Sequence, residues 1–290
     1  MSDHAPDSHT LPASLRAHDG LALHLHHWPV AEPKGVVQLS HGMCEHLGRF
    51  GELAGALNQA GWAVAGVDHR GHGRSEGPRG VIVQADDYLM DQAVLHDALS
   101  QTYRRKPHVM LGYSMGGVIA GRFGAAMARP LQSAPWARPI DGLIMAAPAL
   151  EPTLSAPQRA TLSVLARLVP DLALPVANRL DWTSGEAQVL DDIRADPLIH
   201  YTLTSRVSQF MLSSGRTVYE RAPGWTVPTL LLYARHDRLI PARSCERFLS
   251  LVPRELIEAH VYEDMEHSLF HEASRGQAHA HAAAWLAKVS

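Results

Sequence analysis

The chain has 290 residues, of which 46% are hydrophobic and 19% charged, with a formal net charge of −3. That length suits one large domain, or one domain carrying an insertion, with ample apolar material for a core. The near-neutral balance and the lack of a long basic stretch argue against nucleic-acid binding, and no run of about 18 apolar residues is present to span a membrane. The opening MSDHAPDSHTLPAS is polar and has no apolar signal core, so residues 1–14 are expected to form a flexible extension. Cys44 and Cys245 stand far apart and in no Cys-x-x-Cys pair, which fits a reduced, cytoplasmic protein without disulfides.

LALHLHHW (21–28) alternates, which predicts a strand with His24 and His26 on its polar face. No third ligand of suitable spacing accompanies them, so no metal site is expected there. GVVQLSH (35–41) predicts a strand, and FGELAGALNQAG (50–61) a helix with Leu53 and Leu57 on one face. WAVAGVDH (62–69) predicts a strand, and residues 84–105 a long polar helix. HVMLGY (108–113) is another strand and MGGVIAGRFGAAMA (115–128) another helix. Strands GLIMAAPA (142–149), TLLLYA (229–234) and HVYED (260–264) follow, with helices near 241–251 and 272–288.

Such strand–helix alternation predicts an α/β fold, a mostly parallel sheet covered on both faces by helices. It breaks once. Residues 150–222 carry helical patterns and prolines but no convincing strand, and read as a helical cap insertion dividing a core of 15–149 and 223–290. Leu162, Leu165, Leu168 and Val169 form an apolar stripe within it. The stripe suits either the insertion's own core or a substrate wall.

Residues 112–116 are Gly-Tyr-Ser-Met-Gly, the G-x-S-x-G pattern, between a strand and a helix. A sharp strand-to-helix turn presents the serine hydroxyl above the sheet, and small neighbours let strand and helix approach. Ser114 is therefore the candidate nucleophile. A serine hydroxyl needs a base, and the base an orienting acid, in the chain order serine, acid, histidine. Asp237 follows the strand 229–234 and His267 follows the strand 260–264. Loops at the C-terminal ends of parallel strands converge on one rim, so the three residues can meet. Asp264 lies on the approach to that loop, His236 adjoins Asp237, and His271 falls one turn beyond; each competes less well. The oxyanion donors expected for acyl transfer are the backbone N–H groups of Met115, after the nucleophile, and Met43, in the loop after the strand 35–41. Cys44, beside that loop, reads as a packed small residue.

At these residues the sequence resembles a known family. HGMCEHLGRF (41–50) resembles the H-G-x-x-E-H-x-x-R-[YF] stretch of monoacylglycerol lipases and bacterial lysophospholipases, in the serine aminopeptidase S33-like group of the α/β-hydrolase superfamily. DHRGHGRSEG (68–77) resembles that family's D-x-x-G-H-G-x-S-x-G block. GYSMGG departs from the usual G-H-S-M-G-G only at Tyr113, a change expected to matter little. Asp196-Pro197-Leu198 resembles its D-P-L segment, and YEDMEHSLFHE (262–272) its closing Y-x-x-x-x-H-x-x-x-x-E. Gly71, Gly73 and Gly77 nearly mimic a dinucleotide fingerprint, but the sixth position is Glu76 and no helix opens there, so nucleotide binding is rejected. Asp68 and Arg70 read as loop-pinning residues.

The resemblance implies an α/β-hydrolase fold with a helical cap, and a serine carboxylic-ester hydrolase using Ser114, Asp237 and His267 with the Met43 and Met115 N–H groups. It implies no metal or organic cofactor, and acyl esters such as monoacylglycerols or lysophospholipids as substrates. Leu168, Leu172, Leu174 and Val176 would suit an acyl chain. Alternatives are a short-chain esterase or thioesterase, an acyltransferase using the same triad, and an S33-type aminopeptidase holding a substrate ammonium at Glu151, Asp181 or Glu186. A non-catalytic binding protein is disfavoured because all three triad positions are filled. Transient contact of the cap with a lipid surface is compatible with the sequence, although no strongly basic amphipathic helix supports it.

Overall fold

The computed structural model describes residues 11–128, 134–175 and 181–289. The chain begins with the strands β1 (Ser14–Arg16), β2 (Ala22–Trp28) and β3 (Gly35–Ser40), helix α1 (Gly51–Gln59) and strand β4 (Trp62–Val67). Helix α2 (Asp87–Thr102), strand β5 (His108–Tyr113), helix α3 (Met115–Met127) and strand β6 (Gly142–Ala146) complete the first half. Then come α4 (Ala156–Leu168), β7 (Ala173–Pro175), α5 (Ala187–Ala195), β8 (Thr202–Thr204) and α6 (Ser205–Arg221). The last elements are β9 (Thr229–Ala234), α7 (Ala242–Leu251), β10 (Ile257–Tyr262) and α8 (Arg275–Leu286).

Eight strands form one sheet in the order β1-β2-β4-β3-β5-β6-β9-β10. β1 and β2 are antiparallel to their neighbours, and the remaining pairs are parallel. Every residue of β3, β4, β5, β6 and β9 is buried, as expected for strands covered on both faces. Side chains alternate across β5. Val109, Leu111 and Tyr113 join a core with Leu53, Leu57 and Trp285 under α1 and α8. Met110 joins Val118, Phe123 and Val218 on the opposite face, under α3 and α6. This is a mixed, mostly parallel α/β sheet with helices on both faces.

β2 alternates as its sequence suggests, with Leu23 and Leu25 buried and His24 and His26 half-buried. β10 starts at Ile257, ahead of the expected 260. It pairs on one side only, and its half-exposed first residues give no continuous apolar run. The last helix starts at Arg275 rather than 272, because turns and bends occupy residues 263–274.

Residues 150–222 hold the helices α4, α5 and α6, and also an antiparallel pairing of β7 with β8 that the sequence does not predict. Three residues per strand are too few to display a period-two pattern. Several bonds root this segment on the core. His46 Nε2 lies 2.8 Å from Asp196 Oδ2, and the His200 N–H donates to the Cys44 carbonyl at 3.1 Å. The Thr204 hydroxyl donates to the Gly80 carbonyl at 3.0 Å, and the Ser268 N–H to the Thr183 carbonyl at 2.9 Å. Among the described residues no helix is long and apolar enough to cross a membrane.

Candidate active site

β5 delivers the chain to Ser114, whose backbone adopts φ 54° and ψ −114° before α3 begins at Met115. That left-handed φ is strained for a residue with a side chain. The turn is held by the Ser114 N–H donating to the Ala146 carbonyl and the Ala149 N–H donating to the Ser114 carbonyl, at 2.9 and 3.0 Å. A Cβ at Gly112 would be driven into the Gly116 carbonyl, and one at Gly116 into the carbonyls of Ser40 and His41. Both positions therefore require glycine.

The loops after β9 and β10 bring two further residues to this turn. His267 Nε2 lies 2.9 Å from the Ser114 hydroxyl, although 153 residues separate them. His267 Nδ1 lies 2.7 Å from Asp237 Oδ2. An ionised carboxylate only accepts, so Nδ1 carries the proton and Nε2 accepts from the serine hydroxyl. The other carboxylate oxygen of Asp237 accepts the N–H groups of Leu239 and Ile240, both at 2.8 Å. Asp237 and His267 are buried. Burial pushes the His267 pKa down, but the adjacent Asp237 carboxylate, helped by Glu45 and Glu272, more than offsets this and raises it.

The loop after β3 closes against the same turn. A Cβ on Gly42 would lie 3.2 Å from Ser114 Cβ. Glu45, itself paired with Arg49 at 2.9 Å, accepts the Gly42 N–H at 2.8 Å and pins the loop. Burial raises the Glu45 pKa, with Arg49 opposing. Met43 lines the cavity in front of Ser114. Met115 is the first residue of α3, so its N–H has no intrahelical acceptor. Cys44 takes φ 68° here, and its buried thiol contacts the Thr202 carbonyl. Burial, with Glu45 nearby, pushes that thiol up to about 12.

Ser114 and His267 open onto a cavity of about 600 Å³. Leu162, Leu165, Leu203 and Met211 of the segment 150–222 line it, together with Glu45 and Arg49. The expected apolar stripe therefore splits. Leu162 and Leu165 face the cavity, whereas Leu168 is 75% exposed and Val169 is exposed too. Leu172 is likewise exposed rather than lining the cavity, and Val176 lies outside the described residues.

Asp264 turns away to accept from the Ser274 hydroxyl at 3.0 Å. The His271 ring packs edge-on to Phe50, 5.0 Å between centroids, and lies behind the site. Asp68 accepts the N–H groups of Leu47 and Arg74, and Arg70 clamps Asp91 through two nitrogens, so both pin the 68–80 loop. Among the described residues no three His, Cys, Asp or Glu side chains are grouped to hold a metal ion. Glu45, Arg49 and Met211 were not singled out from the sequence as individual site residues. The signal for Glu45 was its fixed place in HGMCEH; Met211 carried none beyond an apolar position on a helix.

Comparison with known proteins places these observations in a family. The sequence profile of the family described as "Serine aminopeptidase, S33" matches residues 31–274. The monoacylglycerol lipase of Mycolicibacterium smegmatis is 30% identical over 84% of this chain and 85% of its own. The monoglyceride lipase of Rattus norvegicus is 32% identical over 90% of this chain and 84% of its own. Among solved structures, a soluble variant of monoglyceride lipase from Saccharomyces cerevisiae superposes with a TM-score of 0.83 at 19% identity, covering 98% of each chain.

Proposed function

The chain belongs to the serine aminopeptidase S33 family, and from that premise we propose that it hydrolyses monoacylglycerols through Ser114, His267 and Asp237. The ester-hydrolase activity itself follows from kinship with the lipases; the residue roles are our assignment. Ser114 attacks the ester carbonyl while His267 Nε2 takes its proton. Asp237 holds the imidazole tautomer and favours the imidazolium. The N–H groups of Met43 and Met115 receive the oxyanion. As the tetrahedral intermediate collapses, the C–O bond to glycerol breaks and His267 returns the proton to the leaving alcohol. Water, deprotonated by His267, then attacks the acyl-serine, and the fatty acid leaves as Ser114 regains its proton.

The observation that carries this reading is one hydrogen-bonded chain, Ser114 to His267 to Asp237, opening onto a cavity lined by Leu162, Leu165, Leu203 and Met211. An acyl chain suits those apolar side chains. The aminopeptidase alternative finds each of its candidate acids engaged elsewhere. Glu151 pairs with Arg159, Asp181 with Arg194, and Glu186 accepts the Ala273 N–H. None of the three lines the cavity.

The same proposal extends to partners and place. Val164, Leu168, Val169 and Leu172 are all exposed within the stretch 164–172 of the segment 150–222, and support transient contact with a lipid surface. Both cysteines are free and buried, which supports a reducing compartment such as the cytoplasm. The test is a p-nitrophenyl ester series from two to sixteen carbons beside 1-monoacylglycerol, lysophosphatidylcholine and a proline arylamide. A long-chain optimum with monoacylglycerol turnover is expected. A short-chain optimum without lipid turnover, or arylamide cleavage, would overturn the substrate assignment. Added acceptor alcohol should leave the free fatty acid as the main product, and dominant ester formation would favour acyl transfer.

A further inference from the structure

Tyr113 precedes the nucleophile, and no step above uses its side chain. It is buried at the end of β5, and its phenol donates to the backbone carbonyl of His267 at 3.1 Å. Its ring lies against the His267 imidazole, 5.3 Å between centroids. A Cβ on Gly42 would stand 3.2 Å from its Cδ1, so the oxyanion loop rests on the same ring. Phe50 and Phe270, each 5.9 Å away, pack the ring. One side chain thus touches the base loop and the oxyanion loop, while its own backbone adjoins Ser114.

His267 needs such support. It sits among turns and bends, outside any helix or strand. Its carbonyl also accepts the Leu269 N–H at 2.9 Å, a short local bond that does not tie the loop to the sheet. The phenol supplies that tie. We propose that Tyr113 is a positioning residue: its hydroxyl anchors the His267 backbone to the end of β5, holding the imidazole in reach of Ser114 and Asp237 through turnover. A histidine at this place, as in the G-H-S-M-G-G that the chain otherwise resembles, has no atom as far from its Cα as the phenol oxygen. The departure at Tyr113 is therefore a substitution with consequence, contrary to the sequence-based expectation that it matters little.

The inference rests on Ser114 and His267 carrying the hydrolysis, and the experiment separates the two. Tyr113→Phe keeps the packed ring and deletes the tether. Its kcat should fall about tenfold, as expected for one net hydrogen bond acting in the transition state. KM should stay at the wild-type value, and the melting temperature should fall by only the few degrees that one lost hydrogen bond costs. Inactivation by an alkyl fluorophosphonate should slow by the same factor, and the downfield proton resonance of the His267–Asp237 hydrogen bond should broaden. Tyr113→His should be no faster than Tyr113→Phe. Wild-type kcat with a sharp downfield proton in Tyr113→Phe, or full activity in Tyr113→His, would overturn the positioning role. A fall in melting temperature well beyond those few degrees, with kcat lost only in proportion to it, would do the same. Should Tyr113→Phe fail to fold, the downfield proton and kcat of Tyr113→His decide alone. Activity surviving in Ser114→Ala would instead overturn the underlying mechanism.

Discussion

At Nδ1 the His267 ring donates to Asp237, and at Nε2 it accepts from Ser114. Asp237→Asn would reverse this. One oxygen of the side chain already accepts two N–H groups, from Leu239 and Ile240. The amide oxygen must take that place, which turns the amide nitrogen toward His267 and forces the proton onto Nε2. The wrong tautomer cannot accept the serine proton, and kcat should fall by a factor on the order of 10⁴. The pH profile carries the same signature. The folded pKa of His267 is raised above the ordinary 6.5, and the reaction needs the neutral ring. Activity should therefore rise with pH through a limb lying above 6.5, and that limb should move to lower pH in Asp237→Asn. A wild-type limb below 6.5 would contradict the electrostatic account. Cys44 sets a further expectation. With its thiol pushed up to about 12, iodoacetamide near pH 8 should inhibit at most partially. Rapid, complete inactivation abolished by Cys44→Ser would contradict its packed environment.

The strand–turn–helix element around Ser114 depends on two absent side chains. Gly116 abuts the carbonyls of Ser40 and His41, at the end of the strand that leads into the oxyanion loop. Gly116→Ala must push β3 and α3 apart. It should cost on the order of 3 kcal/mol of unfolding free energy, read from the urea midpoint, with activity falling too. An unchanged midpoint would mean the close approach is not as described. This element was legible in the sequence because its chemistry is local: a buried run, one hydroxyl and small residues at fixed spacing. The same holds for β3, β4, β5, β6 and β9, whose burial on both faces writes itself as short apolar runs. β7, β8 and the start of β10 were not legible. The first two pair for three residues each, and β10 is a half-exposed edge. Their pairing is set by partners distant in the chain. The tether from Tyr113 to His267 was hidden for the same reason: 154 residues separate its ends.

Across the whole molecule, α4 works on both of its faces. Leu162 and Leu165 look into the cavity, and Val164 and Leu168 look out to solvent; no residue of the helix is fully buried. A sequence records that such a helix is apolar but not which side lines a cavity, which is why its two faces could not be separated in advance. The outward face leads to a prediction. The pair Leu168→Ser and Leu172→Ser should weaken sedimentation with phosphatidylcholine vesicles by about a hundredfold or more, since two leucines withdrawn from water are together worth about 3 kcal/mol or more. Hydrolysis of a soluble short-chain ester should be unchanged. Equal vesicle binding by the double variant would remove the cap from any membrane role. The most direct test of the central claim is glycerol release from 1-monooleoylglycerol, measured side by side for the wild-type protein and Ser114→Ala. We expect steady turnover by the wild type and a loss of about 10⁴-fold or more in a variant with an unchanged circular dichroism spectrum. Comparable rates for the two proteins, or no release by either, would contradict the account.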